Sequence, residues 1–129
     1  MRKQIALITT LLFCLCIACG QDKTAPKSPD VMLGTIKSKA VTSRREILKN
    51  TILKCTDPSY AVVSYKFGLQ TKNKGDYIGD FDRKNSSLQN ADIDLIKKND
   101  SARIIITGIV LKHNGNEIKG DHIVIQYNN

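Results

Sequence analysis

The chain has no tryptophan, and aromatic residues make up only 5% of its 129 positions. Without an indole, a carbohydrate site loses its largest amphipathic contact surface. Single-stranded nucleic acid needs bases stacked on aromatic rings set among cations. Here no aromatic residue interleaves with the basic pairs Arg44-Arg45 and Lys97-Lys98. Cysteine is scarce where a fold could use it. Cys14, Cys16 and Cys19 lie in or at the end of an amino-terminal apolar run, which leaves Cys55 alone in the body. That rules out a disulfide framework within the body. A lone cysteine reads as a small buried apolar side chain, whereas a reactive or intermolecular thiol would need exposure and a lowered pKa. The two histidines, His113 and His122, stand in no recognisable motif with Cys55 or a serine, so no nucleophile with its base emerges. Their spacing to Cys55 is not that of a zinc site. Both histidines read as ordinary edge or surface residues. No internal repeat, βαβ phosphate loop or glycine-rich fingerprint is visible.

One sign of charge predominates. The formal net charge is +8, of which Arg2 and Lys3 belong to the amino terminus. From Cys19 onward, 18 Lys and Arg face 12 Asp and Glu. A basic balance can serve nucleic acid, anionic lipid or an acidic partner. The lysines are scattered rather than run together, so the expectation is a solvated surface and no nucleic-acid partner.

The amino terminus carries the most specific pattern. Arg2 and Lys3 form a positive stretch, and Ile5–Ala18 follows as an apolar run of 14 residues. Spanning a bilayer takes about 20 apolar residues, so this run fits a secretory signal better than a membrane helix. It ends in Cys16-Ile17-Ala18-Cys19-Gly20, which resembles a bacterial lipobox, with Cys16 standing where Leu is usual. The expectation is a signal peptide over 1–18 and a covalent lipid on Cys19. No other cofactor and no metal are expected. Two or more acyl chains give stable anchoring. Residues 19–30 are polar and contain Pro26 and Pro29, as a tether would. About ten extended residues reach roughly 30 Å. By analogy with lipoprotein sorting, Gly20 rather than Asp after the cysteine points to an outer-membrane protein, facing either the periplasm or the surface.

Residues 31–129 read as one β-rich domain of α+β class. It is expected to be a small antiparallel sheet or β-sandwich with two short helices. Val31–Lys39 reads as a strand or hairpin arm. Ser43-Arg44-Arg45-Glu46 reads as a capping box, opening a helix of about three turns with Ile47, Leu48, Thr51, Ile52 and Cys55 on its inner face. Tyr60–Leu69 alternates as a half-buried strand, with Ala61, Val63, Tyr65, Phe67 and Leu69 inward. Thr71–Ser87 reads as a polar loop with one short strand near Tyr77–Phe81. Asn90 is expected to cap a second helix ending at Lys98, with Ile93 and Ile96 inward. Ala102–Lys112 is continuously apolar and β-branched, hence a central strand covered on both faces. Gly108 marks a bulge, and Asn114-Gly115 marks a hairpin turn. A last strand runs from His122 to Tyr127.

The polar loop holds Asp76, Asp80 and Asp82. Asp80-Phe81-Asp82 superficially resembles a calcium loop. Counted from Asp80, the places that need glycine and a terminal acid hold Asn85 and Ala91, so the pattern fails. These aspartates with a histidine remain the alternative reading, a small envelope hydrolase or metal-binding protein. A third reading is an inhibitor or sensor of an envelope protease.

Residues 29–129 resemble the carboxy-terminal domain of GldM-like proteins, which belong to the gliding and type IX secretion machinery of Bacteroidetes-type bacteria. The resemblance lies in Pro29-Asp30-Val31, Gly34-Thr35-Ile36, Ser43–Leu48, Tyr60–Phe67, Ile96-Lys97-Lys98, Ala102–Ile109 and the Asn-Gly hairpin. It implies a periplasmic β-rich interaction domain without enzymatic activity, docking to another envelope protein. The long membrane-spanning stalk of that family is not matched here. The expected function is therefore a lipid-anchored, non-catalytic protein–protein interaction module. Its partners would be the membrane, through the lipid, and another envelope protein of unknown identity. Its oligomeric state is not legible in the sequence.

Overall fold

The computed structural model describes residues 28–72 and 75–129. The expected signal peptide, the lipobox-like stretch with Cys19 and most of the expected tether lie outside the described residues. In chain order the elements are β1 (Val31–Leu33), β2 (Val41–Ser43), α1 (Arg44–Lys49), β3 (Leu53–Cys55), β4 (Ala61–Thr71), β5 (Tyr77–Arg83), α2 (Asn90–Lys98), β6 (Ala102–His113), β7 (Asn116–Lys119) and β8 (Ile123–Asn128). The domain is α+β and mainly β. Its larger sheet runs β2-β8-β6-β4-β5, with β7 also paired to β6. A separate two-stranded ribbon joins β1 to β3 antiparallel. All pairings in the larger sheet are antiparallel except β2 with β8, which is parallel.

The strand β6 is the spine. Its β-branched run suits a pleated surface, and β4 pairs with one side of it from Ala102 to Lys112. Its other side is shared end to end, β8 taking Ala102–Ile106 and β7 taking Val110–His113. Two bulges offset each other along the β4–β6 ladder. At Gly108, whose φ is +57°, β6 carries one residue more than β4 opposite it. Glycine meets that left-handed conformation without the penalty a Cβ would bring. At Val63 it is β4 that carries the extra residue. This shifts the inward phase, so Val62 packs on the core where the alternation points to Val63. The β6–β7 turn has Asn114 at φ +50° and Gly115 at φ +79°, the mirror-image turn whose twist matches a hairpin.

One face of the sheet is covered. Tyr65, Phe67, Leu69, Ile104, Ile106, Ile109, Leu111, Ile123, Ile125 and Tyr127 pack there against Leu33, Ile47, Leu53, Leu88 and Ile96 from the ribbon, the helices and the connection before α2. The opposite face carries no second layer among the described residues. This corrects the expectation that β6 is covered on both sides. Ile104 is fully buried, but Arg103 is exposed and Ile105 only partly buried. A continuous apolar run overstates burial here because the central position of β6 arises from strand pairing rather than from layers above and below.

Two further expectations are corrected. The first helix has 6 residues, not three turns. Ser43 does accept from the Glu46 N–H (3.2 Å), but Asn50 ends the helix, its side-chain amide donating to the Glu46 carbonyl (2.9 Å). Leu53–Cys55 then pairs with β1. The β-branched Thr51 and Ile52, together with strand partners waiting in β1, outweigh a helical spacing that was only local. The second helix is capped at Gln89 rather than Asn90, and the Asp92 carboxylate accepts from the Gln89 N–H (3.0 Å). In the polar stretch before it, the short strand expected near Tyr77–Phe81 is β5, which pairs with β4 and runs on to Arg83.

Candidate functional site

The polar residues that stand out in the sequence can be followed one by one. Asp80 and Asp82 lie on β5, an outer strand of the sheet, and not in a loop. Asp82 sits opposite Lys66 across the ladder. Asp80 falls where β5 bulges against β4 and accepts a hydrogen bond from the Tyr77 hydroxyl. That bond, aided by desolvation, pushes the Tyr77 phenol up to about 12. Asp76 stands just before β5, and its carbonyl accepts from the Thr71 N–H (2.9 Å). Its neighbours around a shallow cavity of about 590 Å³ are Lys72, Lys98 and Asp100.

The histidines are elsewhere. His113 ends β6, stacks on Tyr60 with ring centroids 4.2 Å apart, and places Nδ1 3.2 Å from the Ser59 carbonyl. Measured along β4, that is six residues from the level of Asp82, roughly 20 Å at the rise of a strand. His122 precedes β8, three strands across from Phe81, or roughly 14 Å at the usual strand spacing. It lines another cavity, of about 460 Å³, with Lys37, Lys39 and Asp121. The fold thus separates Asp80 and Asp82 from both histidines. Among the described residues, no three His, Cys, Asp or Glu side chains converge as a metal site would require. Cys55 is half-buried, and burial together with the charge of Asp57 pushes its thiol pKa up, opposite to what a reactive thiol needs.

Two polar clusters that the sequence did not reveal hold α2 in place. Asp92 is fully buried and accepts from Arg83 through both oxygens, at 3.0 Å from Nε and 2.6 Å from Nη2. This forked pair is the strong form of a charge-assisted bond. It ties the amino-terminal turn of α2 to β5. At the other end of α2, the Tyr127 hydroxyl lies within donating reach of the carbonyls of Ile96 (3.2 Å) and Asn99 (2.9 Å). Arg44 donates to the Lys97 carbonyl (2.9 Å), to Asp100 (3.0 Å) and to Asn129 (3.0 Å). Carbonyls left over at a helix end require such partners. Arg44, half of a basic pair in the sequence, is therefore a structural clasp. No local signal marks either cluster, since each joins residues from separate elements.

What remains on the surface is the uncovered sheet face and its margins. Val41 on β2 is 67% exposed and Tyr77 on β5 is 45% exposed. Among the described residues, no helix is long and apolar enough to cross a membrane. No protein-family model and no curated protein matches the chain.

Proposed function

We propose that the protein is a lipid-anchored component of the bacterial cell envelope whose folded part is a non-catalytic protein–protein interaction module. On this reading Cys19 carries the lipid in the outer membrane, residues 19–30 are the tether, and the domain docks to another envelope protein. The resemblance of residues 29–129 to GldM-like carboxy-terminal domains supports a partner linked to gliding or type IX secretion machinery. The observation that carries the reading is the pairing of the lipobox Cys16–Gly20 with a two-layer domain whose sheet leaves one face uncovered, exposing Val41 and Tyr77 near its margins. Exposed apolar side chains on an unlayered sheet are a resource for association.

The test is a crosslinking pull-down from native envelopes with the tethered protein as bait and Cys19→Ala as control. Recovery of outer-membrane or secretion-ring proteins, lost with the anchor, supports the module. A bait that crosslinks to nothing specific removes it, and the aspartate-based hydrolase reading then moves forward. Labelling with a fatty-acid probe checks the anchor separately: wild type takes up label, and Cys19→Ala does not.

A further inference from the structure

On the uncovered face one row of side chains crosses five strands. In order it is Tyr77 on β5, Gln70 on β4, Arg103 on β6, Gln126 on β8 and Val41 on β2. Residues paired across a ladder share a face and lie within side-chain reach, so the Arg103 guanidinium is flanked by two carboxamides. Gln70, Lys72, Arg103 and Gln126 line a shallow depression of about 240 Å³. Lys72 donates to Asn128 (3.3 Å) at its rim. Arg103 has no ion-pair partner among the described residues. Half-buried Arg83 and clasped Arg44 are spent on the fold, whereas Arg103 is exposed to solvent.

The next row is apolar: Gly68, Ile105 and Val124. Gly68 has no side chain, and the Tyr77 phenol occupies the space, its oxygen 2.0 Å from where a Cβ would stand. Beyond it comes Lys66. Of the outward cations on β4 and β6, Lys66 stands opposite Asp82 on β5 and Lys112 opposite Glu117 on β7, whereas Arg103 stands between two glutamines and faces no acid. The complementary surface is therefore acidic with an apolar component.

We propose that the Arg103 row docks an acidic segment of a protein partner. A carboxylate would sit on the guanidinium between Gln70 and Gln126, and a neighbouring apolar side chain would lie on Ile105 and Val124. The guanidinium fork matches a carboxylate in two parallel hydrogen bonds, and each carboxamide brings further N–H donors. A nucleic acid fits less well. The only aromatic residue in these rows is Tyr77, held by Asp80, whereas strand binding stacks successive bases on several rings. The inference rests on the reading of the chain as an interaction module and specifies the surface it uses.

The test titrates the full chain in neutral detergent micelles, followed by nuclear magnetic resonance. The probe is a short acetylated peptide of alternating glutamate and leucine, and its glutamine counterpart is the control. The expected result is a set of shifts at the Arg103 Nε–H, the Gln70 and Gln126 side-chain amides and the Ile105 methyls, with the glutamate peptide only. Arg103→Gln should weaken that peptide about tenfold or more, as loss of a charge-assisted pair does. Lys112→Gln, on the same face but outside the row, should bind as wild type. Shifts that survive in Arg103→Gln, or that centre elsewhere, overturn the site. Tighter binding of heparin or an oligonucleotide to the same row also overturns it, by making the row a polyanion surface. So does self-association abolished by Arg103→Glu, which would make the occupant a second copy. In the pull-down, undiminished capture by Arg103→Glu sinks the site and leaves the module standing. Peptide shifts with a wild-type bait that captures no partner do the reverse.

Discussion

Ile104 and Ile105 are adjacent, chemically identical and on the same strand, yet one is fully buried and the other only partly so. The difference lies in what each face of the sheet meets. The covered face meets Leu33, Ile47 and Ile96; the other carries Lys66, Arg103 and two glutamines in its rows. A β-strand thus divides one apolar run between cohesion and display. Stability should be concentrated on the first face and binding on the second.

The sharpest break in that comparison is at Asp92. Asp92→Ala leaves Arg83, with 18% of its side chain exposed, without its partner, and removal of one member of a buried pair costs about 3–5 kcal/mol. Urea unfolding should show that loss, and a change below about 1 kcal/mol would mean the pair does not tie α2 to β5. Next, Ile104→Ala should cost about 2–5 kcal/mol, while Ile105→Ala should cost less than about 1 kcal/mol. Equal costs would mean that the uncovered face is covered after all.

A smaller effect separates the buried face by pH. Burial pushes the Tyr127 phenol up to about 12, against about 10 in an unfolded chain. The neutral form is the one the fold favours, so this contribution is fully present below pH 10 and is lost as pH rises toward 12. Stability measured across that window should fall, and Tyr127→Phe should flatten the fall. Tyr127→Phe should also cost about 1–3 kcal/mol at neutral pH, because the carbonyls of Ile96 and Asn99 lose a donor. The smallest effect is expected at Arg103→Gln, within about 0.5 kcal/mol in unfolding, since its side chain is exposed. A large loss there would assign Arg103 to the fold and not to display.

Much of this arrangement is legible in the residues. The alternation around Tyr65, Phe67 and Leu69, the Asn114-Gly115 turn, the bulge at Gly108 and the extent of α2 through Lys98 all follow from local chemistry. The failures share a cause. Thr51, Ile52 and Cys55 fit a helical stripe, but β1 offers β3 a strand partner from twenty residues upstream, and non-local pairing prevails. Asp80 and Asp82 look like loop residues because polar side chains on an outer strand resemble those of a turn. Asp92 looks like a solvated helix-start acid. Its burial depends on Arg83, which approaches from another element. The Arg103 row is invisible in sequence for the same reason: its five members span positions 41 to 126 and meet only through register.

The parallel pairing of β2 with β8 places Val41 beside Gln126, 85 positions away. Loop closure over such a distance must precede any reward from the contact, which slows folding relative to locally paired chains. Ile123, Ile125 and Tyr127, all fully buried, enter the core from this last strand. The core therefore cannot close until Ile123–Asn128 has been made, and residues 31–122 wait on that one strand for their last apolar layer.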